Sequence, residues 1–128
     1  MKRIVLTAAL AFVAAAATFT PAESLGLFHF ELKQSAPEKD AHVMGSPSEI
    51  RLWFTQEPQE GSTSIRLVTS GGDEAPTGDV VQDPSDPTVF SVPVTGTLAN
   101  GTYTVAWRAL GQDGHVVRDT FSFMVMNH

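Results

Sequence analysis

Cysteine is absent from the 128 residues of this chain. Without thiols the chain can form no disulfide, no cysteine nucleophile and no cysteine-based zinc site. A domain that closes without disulfides must be held by packing alone, which roughly 100 residues can achieve if they form two layers around one core. We therefore expect one domain whose stability comes from buried apolar side chains.

Positive charge is also scarce. The chain has 8 Lys and Arg against 14 Asp and Glu, which gives a formal net charge of −6. Two of the basic residues are Lys2 and Arg3, so residues 23–128 carry 6 basic and 14 acidic side chains, a net charge of −8. An acidic domain repels nucleic acid and anionic membranes, and neither is expected as a partner.

Only one long apolar run is present, and it stands at the start. Lys2 and Arg3 precede an apolar stretch over residues 4–17, and small residues with a proline follow it. This order is typical of a secretory signal peptide, and the run is shorter than the ~20 residues of a membrane span. We predict a signal peptide over 1–22, with cleavage as late as residue 28, and an exported domain over 29–127. An uncleaved N-terminal anchor is the alternative.

Short runs with period-two alternation, separated by Gly, Pro, Asp, Asn and Ser, make up the rest of the sequence. This pattern predicts an all-β fold, an immunoglobulin-like antiparallel β-sandwich or Greek-key β-barrel of about seven strands. Residues 35–48 are predicted to be a connection, and Pro93 predicts that its strand lies at a sheet edge. The predicted strands cover residues 29–34, 49–55, 64–69, 77–82, 88–94, 102–110 and 116–126.

The most informative polar pattern is Asp113-Gly114-His115. In an extended segment, residues at i and i+2 point to the same face, with Cα atoms ~6.5–7 Å apart. A carboxylate and an imidazole could therefore converge on one metal ion. The alternative is a polar hairpin turn in which Asp113 caps a backbone amide.

Two further histidines bear on this hypothesis. His29 precedes the first predicted strand, which in a sandwich can lie beside a late one. A set of His29, Asp113 and His115 offers nitrogen and oxygen donors that suit Cu(II) in a tetragonal site, with Zn(II) or Ni(II) as competitors. The alternative for His29 is an exposed terminal residue. His42 is expected to be a solvent-exposed loop residue, with a role as an additional ligand as the alternative.

Two sets of motifs stand near the ends of the region 29–126. The start of this region has the frame His-x-x-Leu-x-x-Ser-x-Pro. Its C-terminal half has the run Gly-Thr-Tyr-x-Val-x-Trp-Arg, then Asp-Gly-His, then Thr-Phe-Ser-Phe. The residues concerned are His29, Leu32, Ser35, Pro37, Gly101, Thr102, Tyr103, Val105, Trp107, Arg108, Asp113, Gly114, His115, Thr120, Phe121, Ser122 and Phe123. With these motifs, essentially all of residues 29–126 resembles the CopC family, the periplasmic copper-resistance proteins.

The resemblance implies a Cu(II) site formed by His29, Asp113 and His115. In the family the first ligand binds through its imidazole and the terminal amine, so an amine ligand requires cleavage directly before His29. Some members have a second, Cu(I) site in a loop rich in Met and His. Residues 55–95 contain neither residue type, so we expect no Cu(I) site, and the remaining methionines are scattered along the sequence.

Together these observations predict a periplasmic Cu(II) carrier or buffer for copper resistance. We expect a monomer that is not an enzyme and that passes copper to an inner-membrane copper transporter of the CopD type. One alternative is a metal-independent exported β-sandwich that binds proteins through its acidic surface and an outward-facing Trp53. Another is a copper oxygenase, for which the small chain shows no evident substrate surface.

Overall fold

The computed structural model describes residues 29–127, which contain eight strands and no helix. The predicted signal peptide over 1–22, and the cleavage positions up to 28, lie outside the described residues. Within residues 29–127 there is no helix that could cross a membrane. The strands are β1 (Leu32–Ala36), β2 (His42–Met44), β3 (Glu49–Phe54), β4 (Ser64–Thr69), β5 (Val81–Gln82), β6 (Val89–Pro93), β7 (Gly101–Leu110) and β8 (Val116–Met126).

The strands form two four-stranded sheets that pack face to face, which confirms the predicted β-sandwich. One sheet has the order β1-β3-β6-β5 and the other the order β2-β8-β7-β4. β7 and β8 form the longest hairpin, with ten paired positions from Gly101–Val125 to Leu110–Val116. The β7–β8 turn therefore projects from one end of the second sheet.

The first strand begins later than predicted. A strand over 29–34 was expected, whereas β1 covers Leu32–Ala36 and has an irregularity between Leu32 and Gln34 where it pairs with β3. The cause lies at Thr55, whose hydroxyl donates to the carbonyl of His29 at 2.7 Å and accepts from the amide of Glu31 at 2.9 Å. This side chain takes the place of a strand partner and fixes the segment before β1.

The segment predicted to be a connection contains a strand, so that prediction was wrong in part. β2 has only three residues, and it pairs in parallel with β8: His42 with Met124, Val43 with Val125 and Met44 with Met126. Three residues are too few to show alternation, which is why the sequence pattern did not reveal them. β2 also makes the sandwich mixed rather than purely antiparallel.

The strand that ends in Pro93 is internal, not at an edge. β6 lies between β3 and β5. Pro93 is tolerated because it is the last residue of the strand, and its carbonyl still accepts from the amide of Gly78 at 2.9 Å. A proline at the end of a strand removes only one possible ladder bond.

Alternate residues of the facing strands fill the space between the sheets. Ile50, Leu52 and Phe54 of β3 are almost completely buried, as predicted, while Arg51 and Trp53 point outward. The ring of Phe54 lies 4.9 Å from Phe30, 5.2 Å from Trp107 and 6.0 Å from Phe90, measured between centroids. Each such side chain contributes roughly 1.5–3 kcal/mol on burial, which is the source of stability in a domain without disulfides.

Candidate metal-binding site

The β7–β8 turn is tightly closed by its own backbone. The amide of Gly111 donates to the carbonyl of His115 at 2.9 Å, and the amide of Gly114 donates to the carbonyl of Gly111 at 3.0 Å. Gly114 has φ of +89°, a conformation that L-residues rarely adopt. A glycine between Asp113 and His115 therefore lets the chain reverse direction within this turn.

The turn brings the side chains of Asp113 and His115 together. Asp113 Oδ2 lies 3.0 Å from His115 Nδ1, and Asp113 Oδ1 accepts from the backbone amide of His115 at 3.0 Å. Both side chains remain accessible, with 66% of the aspartate and 83% of the histidine side chain exposed. The two side chains thus meet in a turn rather than in the extended segment assumed from the sequence, and the amide cap offered as the alternative is present.

Each member of this pair alters the protonation of the other. The hydrogen bond to Asp113, with its negative charge, raises the pKa of His115 above the ordinary 6.5. The hydrogen bonds from the side chain and backbone of His115 lower the pKa of Asp113 below the ordinary 3.8. The aspartate is therefore a carboxylate at neutral pH, and one lone pair of electrons is directed at the imidazole.

Contacts to the loop after β3 hold the turn in place. The side-chain amide of Gln59 donates to the carbonyl of Gly111 at 3.0 Å, and that of Gln112 donates to the carbonyl of Glu57 at 3.2 Å. Gly111 is also confined by its neighbours, because a Cβ there would lie 3.0 Å from Asp113 Oδ1. A side chain at 111 would therefore require the Asp113 carboxylate to shift by a few tenths of an ångström.

His29 lies at the same end of the sandwich as the turn. The next residue, Phe30, is buried beneath the turn, and its Cβ lies 3.6 Å from the position a Cβ on Gly111 would occupy. His29 itself is exposed. Residues 29–127 contain no group of three or more His, Asp or Glu side chains arranged to hold a metal ion, so the structure brings together two of the three predicted ligands.

Comparison with known proteins decides the family. The family model described as "CopC domain" matches residues 32–126, well over half of the chain. The chain belongs to the CopC family. The match extends from the first residue of β1 to the last residue of β8, so it covers the whole sandwich.

Two curated bacterial proteins and one crystal structure illustrate this CopC relationship. Protein YobA of Escherichia coli (strain K12) is 27% identical over 97 residues, which cover 76% of this chain and 78% of that protein. Copper resistance protein C of Escherichia coli is 29% identical over 103 residues, covering 76% and 81%. The crystal structure of CopC from Methylosinus trichosporium OB3b is 29% identical with a TM-score of 0.71, covering 78% of this chain and 96% of that chain.

Two other predicted features of this CopC chain have clear positions. His42 is exposed, as expected, but it lies in β2 rather than in a loop. Trp53 is half-buried on the outer face of the first sheet, with the guanidinium carbon of Arg51 5.7 Å from its ring centroid. Trp53 is thus partly covered by its own sheet, which reduces the surface it could offer to a protein partner.

Sequence reasoning did not foresee how the methionines are arranged. Met44 and Met126, expected to be scattered, are directly paired across β2 and β8, and they are 62% and 43% exposed. Met126 lies on the solvent-facing side of β8. Only the strand register shows this, because the two residues are far apart in the sequence and β2 was not predicted.

Proposed function

We propose that this CopC-family protein binds Cu(II) in the periplasm and serves copper resistance as a carrier or buffer. The observation that carries the proposal is the pair formed by Asp113 and His115, whose donor atoms lie 3.0 Å apart on an exposed turn. Nitrogen and oxygen donors of this kind suit Cu(II). The family membership supports the same role, since a relative is named copper resistance protein C.

The spacing of the two donors fits the geometry that Cu(II) prefers. With metal–ligand bonds of about 2.0–2.1 Å, two atoms 3.0 Å apart subtend an angle of roughly 95° at the metal. Tetragonal Cu(II) requires neighbouring ligands near 90°. The ion would replace the proton shared by Asp113 Oδ2 and His115 Nδ1 but would lie to one side of the line between them, so both exposed side chains would turn toward it.

His29 is the third proposed ligand. Its backbone is fixed by Thr55 and by the burial of Phe30 under the turn, while its side chain is exposed and free to choose a rotamer. Rotation of the imidazole toward Asp113 and His115 would complete a set of one oxygen and two nitrogens. If the signal peptide is cleaved directly before His29, its amine would add a further nitrogen.

The exposure of the proposed ligands suits a protein that transfers copper better than one that uses copper for catalysis. Donors on a turn and a chain end can be approached by a second protein, as transfer to a membrane partner such as a CopD-type copper transporter requires. A resident catalytic metal would need an additional substrate surface beside it. We therefore propose a monomeric, non-enzymatic carrier.

Isothermal titration of the secreted protein with Cu(II) tests this function. We expect saturable binding of one ion per chain, weakened in His29→Ala and abolished in His115→Ala. His42→Ala is the matched control, because His42 is also exposed but lies in β2, away from the turn. Absence of saturable binding, or equal binding in His115→Ala, would eliminate the copper-carrier role and leave the metal-independent module.

Mass spectrometry of the secreted protein tests the proposed export and processing. A mature chain that starts at residue 23 would make His29 an imidazole ligand only. A mature chain that starts at His29 would add the amine. Recovery of the uncleaved chain from the membrane fraction would contradict the proposed signal peptide.

A further inference from the structure

We propose a second metal site, selective for Cu(I), at the edge of the sandwich where β2 pairs with β8. Its ligands are the thioethers of Met44 and Met126 together with the imidazole of His42, with Met124 beside them. This site is separate from the turn that carries Asp113 and His115. It also lies outside residues 55–95, where a Cu(I) site would be expected from the family resemblance.

The strand register places these side chains on one surface. Aligned residues of a parallel pair lie next to each other, and His42 is aligned with Met124 while Met44 is aligned with Met126. Val43 and Val125, which alternate with them, point inward and pack against the core. The four side chains consequently share the outer face, in two adjacent rows.

The distances suit a shared ion. Neighbouring strands are about 4.8 Å apart, and residues at i and i+2 of one strand are about 6.5–7 Å apart at Cα. Methionine has three rotatable bonds in its side chain, so two thioethers can converge from such positions. Thioether sulfur is a soft ligand that selects Cu(I), and an imidazole nitrogen can complete a low-coordinate site.

Two of the four exposed large apolar side chains of residues 29–127 lie on this edge, and the other two are Val81 and Val116. Among the large apolar side chains of the described residues, Met44 is 62% exposed and Met126 is 43% exposed. A groove lined by Asp40, His42 and Met124 lies alongside. The carboxylate of Asp40 adds a negative charge that favours a cation there. The thioethers of the methionines, the imidazole of His42 and the carboxylate of Asp40 thus lie on the same accessible edge of the sandwich.

The backbone around the proposed site is firmly tied. The amide of Asp40 donates to the carbonyl of Ser122 at 2.6 Å, that of Met124 to Ala41 at 2.8 Å, and that of Gly45 to Met126 at 2.9 Å. These bonds hold both ends of β2 against β8, so the backbone that carries the proposed ligands is fixed before any metal binds.

The two sites are far enough apart to act independently. Met124 lies nine positions after His115 along the extended chain of β8, which corresponds to about 30 Å. A Cu(II) ion at the turn and a Cu(I) ion at the β2–β8 edge could be bound at the same time. Failure of the Cu(II) proposal would therefore leave the Cu(I) site standing, and the reverse also holds.

Competition with the chromogenic chelator bicinchoninate, under anaerobic reducing conditions, tests the Cu(I) site in the full-length mature protein. We expect the wild-type protein to withdraw one Cu(I) from the chelator. The double variant Met44→Leu/Met126→Leu should lose about tenfold or more in affinity. Leucine has a similar volume, so the thermal unfolding midpoint should change little and report that the fold is intact.

Two controls locate the ion. Val81→Leu alters another exposed apolar residue, in the other sheet, and should leave Cu(I) affinity unchanged. His115→Ala should also retain Cu(I) while losing Cu(II), and X-ray absorption of the Cu(I) form should show sulfur ligands. The proposal is overturned if the wild type does not compete, if the double leucine variant binds equally well, or if Cu(I) binding is lost in His115→Ala.

Discussion

Three aspartates in the loops accept hydrogen bonds in the same way from the residue two places later. Asp83 Oδ1 accepts from both the amide and the hydroxyl of Ser85, and Asp86 Oδ1 accepts from both groups of Thr88. Asp113 Oδ1 likewise accepts from the amide of His115, while its second oxygen, Oδ2, pairs with the imidazole Nδ1. The proposed Cu(II) site is therefore a common aspartate turn in which a histidine replaces the hydroxyl residue and supplies a nitrogen ligand.

The pKa of Asp83 predicts a specific loss of stability in acid. Bonds from Ser85, followed by the ion pair with Arg51, lower this pKa from the ordinary 3.8 to about 2. Because the folded-state pKa is below the unfolded one, the contribution is fully present above about pH 4 and is lost as the pH falls toward 2. Urea unfolding should show that the stability difference between wild type and Asp83→Asn narrows over this range. A difference independent of pH would contradict the assignment.

A substitution at Gly111 should affect metal binding more than folding. The added Cβ of Gly111→Ala would lie 3.0 Å from Asp113 Oδ1, so the carboxylate must move away from its present position. We expect Cu(II) affinity to fall by about tenfold, while stability changes by less than about 1 kcal/mol. Isothermal titration and urea unfolding measure the two effects.

Gly71→Ala is the matched control for this substitution. A Cβ at Gly71 would meet its nearest neighbours only at 3.8 and 3.9 Å, which is ordinary contact. Its Cu(II) affinity and stability should equal those of the wild type. Equal Cu(II) affinity in the Gly111 and Gly71 variants would show that Cu(II) binding does not depend on the position of the Asp113 carboxylate.

At the scale of strands, prediction from sequence succeeded where alternation was long. β3, β4 and β8 were predicted within one residue of their observed ends, because apolar and polar residues alternate over six or more positions. β2 was missed because it has three residues and its partner is distant in the chain. The alternation of apolar and polar residues shows which face of a strand a residue occupies. Pairing between remote segments, however, depends on the packing of the whole domain.

Gly78 packs closely against Pro93 at the end of β6, and this packing can be tested. A Cβ on Gly78 would lie 2.7 Å from Cγ of Pro93, closer than real contacts allow. Gly78→Ala should therefore destabilise the protein by about 1–3 kcal/mol, as overpacking usually does. The free energies of unfolding of Gly78→Ala and of the control Gly71→Ala are measured in urea. Equal stability of the two variants would contradict the tight packing.

At the scale of the whole molecule, one continuous core joins the two sheets without any covalent cross-link. Phe54 is 1% exposed and lies among the rings of Phe30, Phe90 and Trp107. The core also fixes the backbone next to His29, since Phe30 belongs to it. Sequence alone could supply the residue types of the proposed ligands, whereas the position of His29 at the same end of the sandwich as the β7–β8 turn depends on this packing.

Removal of the Phe54 ring should show how much of the stability resides in the core. We expect Phe54→Ala to cost about 3–5 kcal/mol, which is a large part of the stability of a domain of this size. Phe54→Leu should cost clearly less, because much of the volume remains. Chemical unfolding of both variants is the measurement, and a loss below about 1 kcal/mol for the alanine variant would contradict the role given to this ring.

Pulsed electron paramagnetic resonance of the Cu(II)-loaded protein tests the central claim most directly, because it counts the imidazoles bound to the ion. We predict that His29 and His115 both coordinate, so the wild type shows two imidazoles and each single alanine variant shows one. His42→Ala should retain both. A wild-type spectrum with one imidazole, or one unchanged in His29→Ala, would contradict a site shared between the chain start and the β7–β8 turn.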